Sequence, residues 1–299
     1  MNNAYMGKIL MVDLSSGRIK DEIIPDEIYK KYLSGTGLGA YICGRNIPAG
    51  ADPLGPENML GFVSGLLTGS GYPFSGRWSI VGKSPLTGTW GDANCGGNFS
   101  PAIKRSGYDG IFFKGISSRP VYLKIDSNNR AELVSAEHLW GKDAVETEEI
   151  LIKESGRGAK VACIGQSGEK ISLISGVCND RGRMAARSGL GAVMGSKKLK
   201  AVVLEGNNSV NIHDKEKIRE ISKKINKLLK IQILPLGGKS LAALGWLLGI
   251  IPVGMALDGM LFKMLLKKWG TVFMNRMSIG MGDSPVKNWM GSTKDYTLK

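Results

Sequence analysis

The stretch Asn179-Asp180-Arg181-Gly182-Arg183-Met184-Ala185-Ala186-Arg187-Ser188-Gly189-Leu190-Gly191-Ala192-Val193-Met194-Gly195 decides how the chain is read. Arginines at 181, 183 and 187 sit among small residues. Small residues let a ligand reach the main chain, because no side chain holds it away. Arginines beside exposed N–H groups suit phosphate, which a guanidinium grips in a planar fork. The stretch reads as a seat for a large anionic cofactor, against the plainer reading of a glycine-rich turn with solvated arginines. A second stretch of the same character, Arg77 with Asn94-Cys95-Gly96-Gly97, favours the cofactor.

The surrounding chain is α+β. A hairpin is expected from Gly7–Leu14 and Arg18–Lys20, and another from Pro120–Ile125 and Ala131–Val134 around Asp126-Ser127-Asn128-Asn129. Further strands are expected at Met59–Ser64, Trp78–Gly82, Tyr108–Gly115, Lys160–Gly165, Ile171–Val177 and Leu199–Leu204. Helices are expected after Pro25-Asp26, near Leu38–Cys43, at Phe99–Ser106 capped by Asn98, and at Asp143–Ser155 with Val145, Ile150 and Leu151 on the apolar side. Hairpins mixed with few helices read as α+β, a mixed sheet rather than regular βαβ winding. Gly35-x-Gly-x-Gly lacks the spacing and the preceding strand of a dinucleotide loop.

With 299 residues the chain is long enough for a sizeable core. Its net charge of +14 is uneven, most of the excess lying beyond residue 206. The excess could suit nucleic acid or an anionic membrane surface, but no finger spacing or aromatic–basic interleaving supports the former, and a basic partner face or a truncated segment is the better reading. Cys43, Cys95, Cys163 and Cys178 include no Cys-x-x-Cys pair and spell no metal site. Cys43 and Cys163 read as core residues, and His138 and His213 as surface residues. No leader is recognisable, and a reducing cytoplasm fits. Composition changes after Gly206-Asn207-Asn208, where a domain boundary is expected, followed by a basic amphipathic helix from Lys215 to Lys230. Ser240–Leu257 carries no charge; Gly245, Gly249, Pro252 and Gly254 argue for a buried or partner-covered helical hairpin over a membrane span or surface attachment.

Residues from about 6 to 206 resemble the N-terminal domain of the tungsten-containing aldehyde ferredoxin oxidoreductase family. The resemblance is carried by Gly35-x-Gly-Leu-Gly, Asp52-Pro-Leu-Gly-Pro-Glu-Asn, Gly65-Leu-Leu-Thr-Gly, Gly76-Arg77, Lys83-Ser-Pro-Leu-Thr-Gly, Asn94-x-Gly-Gly, Gly107-Tyr-Asp-Gly, Ile164-Gly-x-x-Gly-Glu, Asn179-Asp180 and Gly191-Ala-Val-Met-Gly-Ser-Lys-x-Leu-Lys-Ala. Each motif is weak, but their order over this length is specific. Lys268-Trp-Gly-Thr and Pro285-Val-Lys-Asn-Trp are similar to the opening of the family's helical second domain.

The resemblance implies a tungstopterin-binding domain over residues 1–210 and a truncated start of the helical domain over 211–299. It implies a tungsten or molybdenum atom held by two pterins, whose phosphates share magnesium. Matching positions for cofactor contact are Arg77, Asn94, Gly96, Arg183, Met184, Ala186 and Arg187, with the carbonyls of Asn94 and Met184 on magnesium. Met184 and Ala186 stand where Ala and Gly are usual. Cys95 is expected beside phosphate rather than on a metal.

It further implies oxidation of an aldehyde with water to a carboxylic acid, electrons leaving through a [4Fe–4S] cluster to ferredoxin. The cluster's cysteines are expected beyond Tyr296, so this chain alone is expected to be inactive and to need C-terminal domains or a second polypeptide. A homo-oligomer is expected. Other family members act on other substrates, such as an aromatic thioester. A non-catalytic pterin-binding or assembly protein is the alternative class.

Overall fold

The computed structural model describes residues 4–230 and a few isolated positions beyond them. The chain divides into Met1–Ile225 and Asn226–Lys299, and the strands and the first six helices all lie in the first unit. The apolar run 240–257 and the motifs at 268–289 lie outside the described residues.

The first half runs β1 (Lys8–Asp13), β2 (Arg18–Ile23), α1 (Asp26–Tyr32), α2 (Thr36–Asn46), β3 (Leu60–Ser64), β4 (Trp78–Lys83), β5 (Trp90–Cys95), α3 (Phe99–Arg105) and β6 (Gly110–Lys114). The second runs β7 (Val121–Ile125), β8 (Ala131–Ser135), α4 (Ala144–Ser155), β9 (Lys160–Cys163), α5 (Gln166–Glu169), β10 (Val177–Asn179), β11 (Arg183–Ala185), α6 (Leu190–Ser196) and β12 (Leu199–Leu204). Helix α7 (Lys215–Lys230) follows.

Each half makes one six-stranded sheet. The first has the order β2-β1-β6-β3-β4-β5, and the second β8-β7-β12-β9-β10-β11. The two orders are the same when six is added to each strand number. The directions match as well: β1 is parallel to β6 and β7 to β12, while every other neighbouring pair is antiparallel. Each sheet closes with its last strand inserted between its first and third. The sequence motifs did not reveal this internal repeat.

The layers follow from which strand faces are apolar. Strand β3 is buried along its whole length, and its run is correspondingly continuous rather than alternating. One core lies between the sheets and takes Leu60, Phe62, Trp78 and Phe113 from the first sheet and Val121, Leu123 and Val202 from the second. Helices α3 and α6 touch strands of both sheets and give this core Phe99, Ile103, Leu190 and Val193. The outer face of the first sheet packs Ile9 and Phe112 under Tyr29 of α1 and Leu38 and Ile42 of α2. The outer face of the second packs Val161 and Val203 under Leu151 of α4.

Several sequence expectations shift at this level. Ile171–Val177 is not a strand: β10 begins only at Val177, and Leu173 and Ile174 stay exposed in the loop before it. Val145 is exposed on α4, and Glu148 is buried there instead. Asn98 gives α3 no side-chain cap. Asp143, by contrast, caps α4 by accepting from the N–H groups of Val145 and Glu146. All four cysteines are buried free thiols.

Three lysines are wholly buried, and each ties loops together through carbonyls. Lys104 donates to Leu66 O at 2.7 Å and to Ala4 O, and stands 3.6 Å from Asp109 Oδ1. Asp109 in turn accepts from Tyr29 Oη at 2.7 Å and from the N–H groups of Met6 and Gly7, which fixes the entering chain. Lys200 donates to Lys142 O and pairs with Glu169. Lys197 donates to Asn58 O at 2.6 Å and Gly115 O at 3.1 Å.

Burial lowers the Lys197 pKa from 10.5 to about 8, opposed by Asp13. Its two acceptors suit a neutral amine, which keeps two N–H groups. Between pH 8 and 10.5 the unfolded chain therefore holds a proton here that the folded chain has released. Stability contributed by this group is smallest below the folded value and rises with pH across that window, by up to about 3 kcal/mol. Urea unfolding should show this rise in the wild type and lose it in Lys197→Met, which is less stable at every pH. An identical pH slope in the two proteins would refute the assignment.

Candidate functional site

The two sheets end together. Strand β5 is an edge of the first and β11 an edge of the second, and the two touch. Neither strand is visible from sequence pattern. Trp90-Gly91-Asp92-Ala93-Asn94-Cys95 mixes small and polar residues, and β11 has only three residues. Both are held by register with their hairpin partners, Trp78 facing Cys95 and Asn179 facing Arg183.

The hairpins β4–β5 and β10–β11 occupy equivalent places in the two halves. Asn94 and Met184 are each the exposed, penultimate residue of the edge strand, followed by buried Cys95 and Ala185. Gly96 and Ala186 each come next, at the strand's exit. The two residues predicted to offer carbonyls to magnesium thus fall at matched positions, as do the two predicted backbone contacts.

Arg77 precedes β4 and donates Nε–H to Asn94 Oδ1 at 2.8 Å and Nη2–H to Asn94 O at 3.2 Å. Its main chain is anchored from below. Ser100 Oγ donates to Arg77 O at 2.8 Å, and buried Ser64 and Thr68 lie within hydrogen-bond reach of the same hydroxyl. A Cβ built on Gly96 would lie 3.6 Å from Arg183 Nη1 and 3.8 Å from Arg77 Nη1. The two guanidiniums therefore flank one small, accessible stretch of main chain. Arg187 is exposed in the loop after β11, whose end is pinned by Ser84 Oγ donating to Ser188 O at 2.9 Å and by Ser188 Oγ donating to Asp92 O at 3.1 Å.

No helix joins Arg183 to Arg187. Arg183 lies in β11, and α6 starts only at Leu190, after Gly189 at φ 64°. Arg181 also leaves the group. Its guanidinium pairs with Glu149, and its N–H donates to Glu148 Oε2 at 2.9 Å. Burial raises the Glu148 pKa against the pull of that N–H. By contrast, no carboxylate among the described residues pairs with Arg77, Arg183 or Arg187.

Two residues that sequence reading quoted without a role bind the hairpins together. Asn179, wholly buried at the end of β10, reaches Cys95 and Gly96 of the other hairpin. Asp180 Oδ2 accepts from Asn98 N at 2.6 Å. Their signal was the pair Asn-Asp before a glycine-rich turn, in which Asp180 and Arg181 adopt positive φ. Cys95 is a thiol whose pKa burial raises, despite the lowering by Arg77 and Arg183. No cluster of metal-ligating side chains occurs among the described residues. His138 is half exposed beside Glu154 and His213 is exposed, as expected of surface residues.

An open cleft of about 680 Å³ lies beside this face, lined by residues that include Asn98, Glu149, Lys153, Arg157, Asp180 and Arg181. None of the seven predicted contact residues lines it, and it carries both signs of charge. The arginine face suits an anion with several oxygens better. It combines the guanidiniums of Arg77 and Arg183 with accessible main chain at Gly96 and carbonyls at two strand ends. Those donors and acceptors fit a phosphate-bearing cofactor with a hard cation on its oxygens. Inorganic phosphate should therefore raise the melting temperature. Arg77→Ala plus Arg183→Ala should abolish most of that gain and Arg181→Ala should keep it, as read by thermal unfolding across a phosphate series. Equal loss in both proteins would disprove the distinction.

Residues 9–206 match the family model of the aldehyde ferredoxin oxidoreductase N-terminal domain. A tungsten-containing aldehyde ferredoxin oxidoreductase of Thermococcus kodakarensis is 44% identical over 224 residues, 74% of this chain and 37% of that protein. An aliphatic sulfonate oxidoreductase, WOR-like subunit, of Pyrococcus furiosus is 35% identical over 243 residues, 76% of this chain and 38% of that protein. The solved active-site complex BamBC of benzoyl coenzyme A reductase with 1,5-dienoyl-CoA matches with a TM-score of 0.75 and 35% identity, over 79% of this chain and 37% of that one. The chain thus spans little more than a third of the length of these relatives. No helix among the described residues is long and apolar enough to cross a membrane.

Proposed function

The chain belongs to the aldehyde ferredoxin oxidoreductase family, and from that premise we propose that residues 1–210 seat a tungsten bis-pterin cofactor in an oxidoreductase. The observation that carries the proposal is the seam itself. Equivalent hairpins of two like halves bring Arg77 and Arg183 to one glycine, with no carboxylate among the described residues paired to them. A cofactor with two similar pterins calls for a site with two similar halves.

In this reading Arg77, Arg183 and Arg187 neutralise phosphate charge. The carbonyls of Asn94 and Met184 face magnesium, and Gly96 and Ala186 admit the pterins to the main chain. Arg77 is pre-set by Asn94 and by Ser100, which limits the side-chain freedom lost on binding. When bound, the tungsten centre would supply two-electron chemistry, converting aldehyde and water to carboxylic acid with electrons leaving through a [4Fe–4S] cluster to ferredoxin. The cluster ligands, the acid–base groups and the substrate pocket belong to polypeptide beyond the described residues. Residues 211–299 would open the helical second domain, beginning with α7. We further propose a homo-oligomer.

A substrate other than an aldehyde is the second reading. It is favoured by the sulfonate and benzoyl coenzyme A names of two relatives at 35% identity, and opposed by the 44% match to an aldehyde enzyme.

The experiment is Arg183→Ala in the protein with its full complement of domains. A charge-assisted pair is worth about 1.5–3 kcal/mol, so tungsten and pterin content should fall about 10- to 100-fold in affinity terms. Arg183→Lys should recover only part, because an ammonium cannot copy the fork. Circular dichroism should be unchanged, since Arg183 is exposed and packs no core. Full cofactor content in Arg77→Ala plus Arg183→Ala would refute the assignment.

A further inference from the structure

We infer that Asn179 is a positioning residue, whose buried amide turns the Gly96–Gly97 peptide so that the Gly97 N–H faces the arginines and donates to a phosphoryl oxygen. The inference rests on the reading of this face as a phosphate seat. Asn179 is wholly buried. Its Nδ2 donates to Gly96 O at 3.2 Å, and its Oδ1 accepts from Cys95 Sγ at 3.1 Å. The two bonds fix the amide's orientation, because a flipped amide would set oxygen against the Gly96 carbonyl.

The Gly96 carbonyl therefore points inward. A peptide bond is planar and trans, so its C=O and N–H point to opposite sides. The Gly97 N–H accordingly points away from the buried Asn179 amide, beside Gly96, which Arg77 and Arg183 flank. Among the described residues it meets no acceptor, whereas the next N–H, that of Asn98, is taken by Asp180 at 2.6 Å. Position 97 must be glycine. Its φ is 109°, and a Cβ there would fall 2.1 Å from Asp180 Oδ2 and 2.6 Å from Asn179 Nδ2. One turn in each hairpin is thus locked by the other, and the lock leaves one main-chain donor free.

The test is a titration of the 299-residue chain, labelled with nitrogen-15 in glycine and arginine, with inorganic phosphate followed by NMR. In the wild type the Gly97 amide and the Nε–H groups of Arg77 and Arg183 should shift together. Asn179→Asp keeps the size and the bond from Cys95 but places an oxygen against Gly96 O. It should abolish the Gly97 response and weaken phosphate about tenfold, the loss expected for one hydrogen bond to a charged group. Asn179→Ala should do the same. Cys95→Ala removes the other bond of the same amide, and should lower the melting temperature while keeping the Gly97 response.

If neither Asn179 variant folds, the wild-type response of Gly97 decides. Arginine shifts without a Gly97 shift would overturn the inference and leave the phosphate seat standing. A Cys95→Ala protein that loses the Gly97 response as fully as Asn179→Asp would also overturn it, since Asn179 would then act through general packing. No shift at glycine or arginine would overturn the inference and the seat together.

Discussion

A sheet edge is a row of main-chain groups without partners, and proteins normally cover such rows or keep them short. Here two edges converge, β5 from one sheet and β11 from the other, and the rest of the domain is arranged around that convergence. The second of them has only three residues, and neither continues the other's sheet. The join is made instead by side chains that reach across: Asn179 to Cys95 and Gly96, Asp180 to Asn98, and Ser188 to Asp92. What the seam presents is one glycine-rich stretch of main chain between the guanidiniums of Arg77 and Arg183. Ligand chemistry is available here because the sheets stop here.

The core explains why so thin a seam can be rigid. Helices α3 and α6 follow the two edge strands directly and bury Phe99 and Leu190 between the sheets, so each hairpin is tethered at its exit. Buried cations do comparable work away from the seam. Lys104, Lys197 and Lys200 each hold main-chain carbonyls of loops that no strand pairing reaches. Desolvating a lysine is costly, as the lowered pKa of Lys197 shows, and hydrogen bonds to carbonyls offset part of that cost. Their gain is the fixed placement of loops, including the entering chain beside Asp109.

Central strands were legible from sequence because burial on both faces leaves continuous apolar runs, as in β3 and β12. The edge strands that form the site were not. Asn94 and Met184 point outward from strands whose existence depends on their partners, so no local period marks them. The four-residue spacing of Arg183 and Arg187 is no guide either, since spacing alone cannot tell a strand and loop from a turn of helix. Leu173 and Ile174 misled in the other direction, being apolar yet exposed. The expected cofactor contacts were named through family motifs, and the composition of the stretch gave only their chemical class. The buried lysines could not be foreseen from charge patterning, which places lysine on the surface.

The strand order has a consequence for how the chain comes off the ribosome. In each sheet the last strand made fills the centre, with β6 between β1 and β3 and β12 between β7 and β9. Until residue 204 has left the exit tunnel, the second sheet exists only as two separate pieces with a missing middle, each exposing pairing edges on the inner side. Chaperone demand should peak in that interval and end abruptly. A nascent chain stalled just before Leu199 is accordingly a different physical object from one stalled just after Leu204, though they differ by a single strand.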